Sequence, residues 1–316
     1  MAIPSFAVVF SVHAESRIRP ATVSLMNGPL FRFHRPDERL RSYISAYFFA
    51  DFSGGPPVDV LMYPEWAHIR IALTGVWRIQ IGETVSTSPE TWSVISGPTS
   101  RGVLVHAEPP ATTISIGLLP LGWARLIRRS AALHADRLDP LASVFPGAAT
   151  SLRQAVLDAG SDEAICAVLD KFFLELEAAD STPVSPLLVR MHEMIRDPAT
   201  RTVEQLAAAL GRSDRQLSRL SRDVFGFSPK LLLRRQRFVR SLIALHDNPN
   251  LPWKSLTDPG YHDHSHFVRD FRQFMGMSPS RFQALSRLHV DRVAQVRMLQ
   301  LGVPHQTLQA GSTPEE

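Results

Sequence analysis

Residues 217–229, Leu-Ser-Arg-Leu-Ser-Arg-Asp-Val-Phe-Gly-Phe-Ser-Pro, are matched fifty positions later by residues 267–279, Phe-Val-Arg-Asp-Phe-Arg-Gln-Phe-Met-Gly-Met-Ser-Pro. A hydrophobic residue, two arginines, a glycine and a Ser-Pro pair recur at the same spacing in both copies. A repeat that keeps the same residue types at the same positions predicts two copies of one structural unit. The fold of this part of the chain therefore has to explain why both copies need these residues.

The first copy lies in a pair of short predicted helices. Thr202 and Gln205 have the spacing of a capping box that opens a helix, and Ser213 and Gln216 repeat that spacing. Between them, Gly211 can adopt the left-handed conformation that ends the first helix. Two short helices joined by a tight glycine turn form a helix-turn-helix. We therefore predict one helix-turn-helix unit over about residues 200 to 227.

The second copy predicts a second unit, over about residues 252–277. Pro252 opens its first helix, Gly260 makes the turn, and Asp263 can cap its second helix. The Ser-Pro pair of the first copy opens another helix, because proline is favoured at the first helical position. That helix covers about residues 229–246 and would join the two units.

The second helix of each unit is expected to enter the major groove of DNA. Arginine suits this role because its planar fork can bond O6 and N7 of guanine together, or grip a phosphate. Residues near the start of such a helix reach bases, while later ones tend to hold phosphates. The predicted base-reading residues are Arg215, Ser218, Arg219, His264, Ser265 and Arg269. The predicted phosphate contacts are Arg222 and Arg272.

The distribution of charge also indicates a polyanionic partner for this region. The net charge of the chain is only +4. Residues 185–285 hold 16 Lys and Arg against 9 Asp and Glu, whereas the rest of the chain holds 18 against 21. A basic module joined to a slightly acidic one favours double-stranded DNA as the partner of the basic part. A single arginine could equally lie on a solvated helix face or in an ion pair within the domain.

Residues from about 185 to 287 resemble the DNA-binding domain of the AraC/XylS family of bacterial transcription regulators. The similarity is strongest from Gly260 to Phe282, Gly-Tyr-His-Asp-His-Ser-His-Phe-Val-Arg-Asp-Phe-Arg-Gln-Phe-Met-Gly-Met-Ser-Pro-Ser-Arg-Phe. The resemblance implies two units in neighbouring major-groove segments, about one helical turn or roughly 34 Å apart. It also implies a transcriptional regulator, with RNA polymerase as a further expected partner.

Two positions depart from the family's pattern. Ser221 stands where the first unit usually carries an aromatic residue that matches Phe271, and Leu220 or Phe225 is expected to fill the space. Pro259 precedes the turn glycine where the family usually continues a helix, so we expect that helix to end early. Neither departure touches the arginine pattern.

The N-terminal part of the chain is typical of a sheet domain followed by helices. Apolar and polar residues alternate in short runs between about residues 30 and 120, as in half-buried strands. Apolar residues at helical spacing then predict helices over about 121–178. We predict an α+β two-domain fold, with an N-terminal β-sandwich or barrel and its following helices over residues 1–180. A linker at 178–186 leads to an all-α double helix-turn-helix domain over 185–287.

Three short stretches are similar to a cupin-like subgroup of the effector domains attached to such regulators. They are Tyr63-Pro-Glu-Trp-Ala-His-Ile-Arg-Ile-Ala-Leu, Ser96-Gly-Pro and Ile116-Gly-Leu-Leu-Pro-Leu-Gly-Trp. This resemblance implies a domain that binds a small-molecule effector or forms a homodimer. The candidate residues of an effector pocket are the aromatic Tyr63, Trp66, Trp77 and Trp92, although aromatic residues of this kind more often belong to the core.

A rival hypothesis is a metal-dependent cupin-type enzyme with an appended DNA-binding module. Some barrels of this kind hold a metal between histidines and a carboxylate. In the sequence, however, His68 and His106 are isolated, and the motifs of serine hydrolases, Walker loops and dinucleotide-binding sites are absent. The histidines at 262, 264 and 266 have no cysteine nearby. We therefore expect no catalysis, metal or cofactor; stoichiometric iron or zinc in the isolated N-terminal domain would favour the rival.

The remaining features concern location and the C-terminus. No apolar run approaches the roughly 20 residues that a membrane span needs, and the first residues lack the basic start of a signal peptide. The single cysteine, Cys166, is predicted to be a core residue. We expect a cytoplasmic, nucleoid-associated protein with a mobile polar tail over residues 290–316.

Overall fold

The structure is a computed structural model that describes residues 30–87, 92–180, 182–248, 255, 257–285, 290–303 and 305–309. Antiparallel strands followed by helices form the first domain, and six further helices form the second. The predicted α+β fold, with a sheet domain preceding a helical one, is confirmed. Within the ranges given, no helix is long and apolar enough to span a bilayer.

In the described part of the N-terminal domain, eight antiparallel strands form one sheet. They are β1 Leu30–His34, β2 Ile44–Phe52, β3 Val58–Met62, β4 Ala67–Ile81, β5 Thr84–Thr87, β6 Ser93–Ser96, β7 Val103–Leu118 and β8 Leu138–Pro140. The hydrogen-bonded order is β1-β2-β7-β4-β6-β8, with β3 paired to β7 and β5 paired to β4. The two long strands β4 and β7 therefore form the spine of the sheet.

The long strands bend where their pairing is irregular. The register between β4 and β7 shifts between Ala72 and Thr74, and again before Val76. Gly75 has a φ of +78°, and a Cβ added there would lie 2.5 Å from the Cβ of Ala111 on β7. Glycine is required because the strand bends while the two backbones stay in close contact.

Two hydrophobic cores lie on opposite faces of this bent sheet. The inner core joins Phe31 of β1 to Val94 of β6, which are far apart in the strand order and meet because the sheet is rolled. The outer face carries Ile69 and Ile116 and is covered by helices. These helices are α1 Pro120–Gly122, which continues as a wide turn over Trp123–Ile127, α2 Ala149–Asp158 and α3 Asp162–Ala178.

Arg125 fixes the start of the interdomain segment to the first domain. Its buried guanidinium donates hydrogen bonds to the backbone oxygens of Glu177, Asp180 and Thr182. It also forms an ion pair of 2.8 Å with the Glu177 carboxylate. The predicted linker, residues 178–186, therefore begins as a segment bound to the sheet domain.

The second domain contains six helices among its described residues. They are α4 Pro186–Arg196, α5 Val203–Leu210, α6 Asp214–Phe225, α7 Pro229–Asp247, α8 His264–Met275 and α9 Pro279–Leu285. The first helix-turn-helix unit is formed by α5 and α6, and α7 joins it to the second unit, whose second helix is α8. The predicted opening of the second unit at Pro252 lies outside the described residues.

Side-chain caps define the ends of the helices in the first unit. The Thr202 hydroxyl accepts a hydrogen bond from the Gln205 backbone, and the Gln205 side chain accepts one from the Thr202 backbone, both at 3.2 Å. Ser213 and Gln216 make the same reciprocal pair at the start of α6. Gly211 ends α5 with a φ of +59°. Both predicted capping boxes are confirmed, and a cap of this type contributes about 1 kcal/mol.

The repeated glycines and the Ser-Pro pair also define helix ends: the glycines end helices and the serine caps the next one. Gly226 ends α6 with a φ of +82°, and Gly276 ends α8 with a φ of +71°. Ser228 caps α7 by accepting a hydrogen bond from the backbone of Leu231. At the start of α8, Asp263 accepts one from the backbone of His266 at 2.7 Å, as predicted.

The two departures from the family pattern each have a local partner. Ser221 is fully buried, and its hydroxyl donates to the Phe227 carbonyl at 2.7 Å. The Asp258 carboxylate, just before Pro259, accepts hydrogen bonds from Arg240 and from the backbone of Gly260, both at 2.8 Å. The turn before α8 is therefore tied to α7, so a continuing helix is not needed there.

The prediction of a mobile tail from residue 290 is wrong for the residues that the structure describes. The helix α10, Val290–Leu301, packs against β1 and β3, and a 3-10 turn, Gln306–Leu308, follows it. Val296 and Thr307 are buried. The polar residues of this segment are buried because they form hydrogen bonds with the sheet and with α7, as described below. Residues 310–316 of the predicted tail lie outside the described residues.

Candidate DNA-binding surface and interior cavity

The helices α6 and α8 expose the same side of the repeat to solvent. Leu217 and Val224 are buried in α6, as are Phe267 and Phe274 in α8. The opposite faces carry the predicted DNA contacts. Exposed among these are Arg215, Arg219, Arg222, His264, Ser265, Arg269 and Arg272, while Ser218 is half-buried. Their contact with DNA stays a prediction.

The arginines of α6 are available to a ligand. Among the described residues, Arg215, Arg219 and Arg222 form neither an ion pair nor a hydrogen bond through their side chains. In α8, Arg269 donates from Nε to the Ser265 carbonyl of its own helix at 3.3 Å, which leaves its terminal nitrogens exposed. An exposed guanidinium without a carboxylate partner retains the donors that base edges and phosphates accept.

The arginines of α7 are used differently. Arg234 and Arg237 both form ion pairs with Asp270, which is 1% exposed. The hydroxyl of Tyr261 donates to the same carboxylate at 3.2 Å. These arginines hold the second unit against α7. The sequence pattern did not predict Asp270 as their partner, because helical spacing does not reveal contacts between helices.

A polar cleft of about 640 Å³ lies between α5, α7 and α8. Its cationic lining residues are Arg201, Lys230, Arg234, Arg237 and Arg269, and its carboxylates are Glu204 and Asp270. A cleft with an excess of cations beside a candidate recognition helix, α8, has the charge that a phosphodiester backbone would need. Sequence reasoning missed Arg201 and Lys230, although the charge excess of residues 185–285 was the available signal.

Both candidate recognition helices end against the N-terminal domain. A Cβ added to Gly226, at the end of α6, would lie 2.6 Å from a side-chain carbon of Pro98. Near the end of α8, the backbone nitrogen of Gly102 donates to the Phe274 carbonyl at 2.6 Å. The first domain therefore contacts the C-terminal end of each helix.

Arg235 of α7 occupies the centre of the domain interface. It is fully buried, and its guanidinium carbon lies 3.8 Å from the centre of the Trp66 ring. Its Nη1 donates to the backbone oxygens of Glu65 at 3.2 Å and of Thr99 at 3.0 Å. Burial lowers the pKa of Arg235 to about 9, so the group stays charged at neutral pH. Trp66, a predicted effector residue, therefore packs between the domains.

The other three predicted effector residues line two cavities inside the rolled sheet. Trp77 and Trp92 line one of about 40 Å³, and Tyr63 lines one of about 50 Å³. Both cavities are also lined by Val60 and by Val293 of α10, so they are neighbours. The space is small because α10 and the turn after it occupy one side of the second cavity.

The second cavity has a charged wall built around Glu65. The carboxylate lies 3.0 Å from His68 Nε2, 3.7 Å from His305 Nε2 and 4.0 Å from Arg70. Burial raises the pKa of Glu65, but the attraction of His68, His305 and Arg70 outweighs burial and lowers it to about 2. Burial lowers the pKa of His305 to about 4. His68, which stands without another histidine nearby in the sequence, therefore shares the carboxylate of Glu65 with His305 of the C-terminal segment.

The remaining histidines and the single cysteine do not form a metal site or a reactive thiol among the described residues. Within the described ranges, no group of three His, Cys, Asp or Glu side chains is arranged to hold a metal ion. The rings of His262 and His266 are stacked with their centres 6.1 Å apart. Burial raises the pKa of Cys166 to about 12, which keeps this partly buried thiol protonated.

Comparison with known proteins agrees with the geometry of the second domain. Residues 206–284 match the family model described as a helix-turn-helix domain. No curated protein matches this sequence.

Three solved structures of low sequence identity are similar to the chain. An apo ToxT variant from Vibrio cholerae strain SCE256 is 12% identical over 76% of this chain and 97% of that one, with a TM-score of 0.42. Wild-type ToxT of the same strain, with bound unsaturated fatty acid, is 13% identical over 75% and 94%, also with a TM-score of 0.42. The AraC-like transcriptional activator CuxR is 13% identical over 70% and 84%, with a TM-score of 0.31. With its repeated Gly and Ser-Pro signature and the family match over residues 206–284, the C-terminal domain of this chain is a helix-turn-helix domain of the AraC type.

Proposed function

We propose that this AraC-type DNA-binding protein is a sequence-specific transcriptional regulator whose N-terminal domain responds to a small-molecule effector. One observation carries the proposal of specific binding. Two capped helices, α6 and α8, present exposed arginines at matching positions, Arg219 with Arg269 and Arg222 with Arg272. Because two matching helices can read two adjacent sites, the duplication supports a bipartite operator.

The proposed binding mode divides the residues by role. Residues in the first two turns of α6 and of α8, up to Arg219 and Arg269, read base edges, and the later Arg222 and Arg272 hold phosphates. The cationic cleft between α5, α7 and α8 then receives the backbone between the two sites. Arg201 and Lys230, at the edge of that cleft, are further proposed phosphate contacts.

The effector is proposed to bind in the interior cavities of the rolled sheet. Tyr63, Trp77 and Trp92 line these cavities with mainly apolar neighbours, and the charged wall around Glu65 lies at one side. A cavity with apolar walls and a few polar groups is typical of small-molecule sites. Such a site would select a largely apolar compound with one polar group. A homodimer through the N-terminal domain, contact with RNA polymerase, and a cytoplasmic location are part of the same proposal.

Selection of DNA from a random pool tests the proposal. The full chain is incubated with random duplexes, and the bound fraction is sequenced. The expected product is a motif with two blocks about one helical turn apart. The double variant Arg219→Ala with Arg269→Ala should lose the motif, while Arg129→Ala, an exposed arginine of the first domain, should retain it. Absence of any enriched sequence with the unaltered chain would reject specific DNA binding.

A further inference from the structure

The C-terminal segment, residues 290–303 and 305–309, forms what we call the C-terminal strap. Its first part, α10, lies along the open side of the rolled sheet. The side chain of Gln300 accepts a hydrogen bond from the backbone of Phe33 at 2.7 Å, and the Leu301 carbonyl accepts one from Arg35 at 3.2 Å. Val296 and Leu301 contribute to the inner core of the sheet domain. The strap is therefore a component of the N-terminal domain, although it follows the DNA-binding domain in sequence.

The turn at the end of the strap binds the ends of three strands. Gln306 donates to the carbonyls of Leu118 at 3.2 Å and Ala67 at 3.4 Å, which belong to β7 and β4. Gln309 donates to the carbonyl of Ser45 on β2 at 3.0 Å. These side chains satisfy backbone acceptors at one end of the sheet, beside the cavity that Tyr63 and Gln306 line.

The opposite side of the same turn binds the DNA-binding domain. The Thr307 carbonyl accepts a hydrogen bond from Gln236 of α7 at 3.0 Å. The Leu308 carbonyl accepts one from Arg196 of α4 at 3.3 Å. Gln236 is buried, and it lies on the helix that joins the two DNA-reading units. A single turn of the chain thus bridges the two domains.

The strap also forms one wall of the cavity. Val293, Arg297, His305 and Gln306 line it together with Tyr63. Several buried polar atoms of the strap are incompletely bonded: Nε of Arg297, Nε2 of His305 and Oε1 of Gln306 make no hydrogen bond with any residue that the structure describes. Buried polar atoms without a partner oppose docking of the segment that carries them. These atoms reduce the free energy with which the strap docks, so a competing ligand can displace it.

We propose that the strap is a displaceable lid that couples the cavity to the DNA-binding domain. While docked, it closes the cavity and ties the sheet domain to α7. A small molecule that enters the cavity must release the turn at 305–309, and the same step frees Gln236 and Arg196. Ligand entry and loosening of α7 are thereby one event. The identification of the cavity as an effector site rests on the proposed function, whereas the bridge itself rests on the contacts above.

Two truncations test the lid without DNA or a natural effector. One ends at Val303 and removes the turn, and the matched control ends at Gln309 and retains it. The probe is 8-anilinonaphthalene-1-sulfonate, an anionic aromatic dye whose fluorescence rises when it binds in an apolar cavity. We expect the shorter chain to bind the dye at least about tenfold more tightly than the control. Amide exchange in residues 236–243 of α7 should rise by about tenfold as well, because local stability depends on these contacts.

A synthetic peptide of residues 302–316 distinguishes displacement of the lid from unfolding. Added to the shorter chain, it should reverse both changes, which a misfolded protein would not allow. A milder test compares Arg196→Ala with Arg190→Ala, an exposed arginine on the same helix, and expects faster exchange in α7 only for the first. Equal dye binding in both truncations would overturn the lid. Increased dye binding with unchanged exchange in α7 would overturn the coupling. Either result is independent of whether the protein binds DNA.

Discussion

The two helix-turn-helix units expose matching arginines on their outer surfaces, but their interiors are packed differently. In the second, Phe271 lies 5.4 Å between ring centres from Phe238 of α7, and further phenylalanines of α8 surround this pair. In the first, Ser221 replaces the matching aromatic residue, and the aromatic ring of the helix belongs to Phe225. That ring lies 5.9 Å from Trp66 of the N-terminal domain. The core of the second unit is therefore formed mainly by its own phenylalanines, with Tyr63 of the sheet domain beside Phe282, whereas the aromatic contact of the first unit comes from the neighbouring domain.

This difference shows that an identical pattern of surface arginines can be supported in two ways. The residues predicted to face DNA do not reveal what stabilises the helix that carries them. Because the core of the first unit includes Trp66 and Leu119, a change in the N-terminal domain reaches the first unit directly.

The largest effect is expected from Phe271→Ala in the second unit. Removing a phenylalanine from the aromatic core of the second unit should lower the free energy of unfolding by about 3–5 kcal/mol. Ser221→Ala, at the matching position of the first unit, should cost only about 1 kcal/mol because it removes one hydrogen bond. Urea denaturation followed by circular dichroism measures both. Equal losses would show that the two interiors are equivalent, and Phe271→Leu serves as a milder control.

Acid is expected to weaken the first unit through His192. Its ring lies 6.1 Å from that of Trp66 and 6.2 Å from that of Phe225. Burial, with a smaller contribution from Arg196, lowers the pKa of His192 from 6.5 to about 3. Between these values the unfolded chain binds a proton that the folded chain does not, so stability falls as pH falls below 6.5. At pH 5 this group should cost about 2 kcal/mol relative to pH 7.5.

The variant His192→Phe isolates this contribution from those of His68 and His305, which titrate in the same direction. Denaturation at pH 7.5 and pH 5 should show a difference that is smaller by about 2 kcal/mol in the variant. The exposed His262 gives the control, since His262→Phe should leave the difference unchanged. If the His192 variant keeps the full pH dependence, this histidine is not held neutral in the folded protein.

If Arg219 and Arg269 both read bases, Arg219→Ala and Arg269→Ala should each weaken the free energy of specific DNA binding by about 1–3 kcal/mol. Each loss should be confined to its own block of the selected motif, which fluorescence anisotropy with half-site substitutions can resolve. Arg129→Ala removes one positive charge from the other domain and should have little effect. Unchanged affinity in both variants would contradict the assignment of these arginines to base readout.

The smallest effects are expected for Arg222→Ala and Arg272→Ala. A phosphate contact contributes similarly to all sequences, so affinity should fall by about 1 kcal/mol evenly across operators, and the salt slope should shrink by about one unit. Titrations at several salt concentrations measure the slope. A loss that depends on the DNA sequence would instead assign the arginine concerned to base readout.

Sequence predicted well what depends on neighbours along the chain. The capping boxes at Thr202 and Ser213, the cap at Asp263 and the role of Gly226 each depend on a few adjacent residues, and the structure has them as expected. The exposed positions of the arginines follow from the same helices. The contact of Arg235 with Glu65 spans 170 residues, and no periodicity in either segment encodes it.

The C-terminal segment was mispredicted for a related reason. Its composition is polar, and composition predicts exposure when polar groups have only water to bind. Gln306 and Gln309 bind strand-end carbonyls instead, so Gln306 is buried and Gln309 is half-buried without being apolar. Trp66 shows the converse problem, because a buried aromatic residue near a cavity and one in a domain interface look the same in a sequence.

The contact between Arg235 and Trp66 has a consequence for engineers who build chimeric regulators. Cut at the linker around residue 182, the helical module would lose the two carbonyl acceptors of its buried guanidinium. The sheet domain left behind would expose the apolar ring of Trp66 on its surface. The transferable cassette therefore includes Glu65, Trp66 and Thr99, which lie inside the first domain. A graft cut only at the linker should aggregate, and one that carries the segments with these residues together with the helices should remain monodisperse.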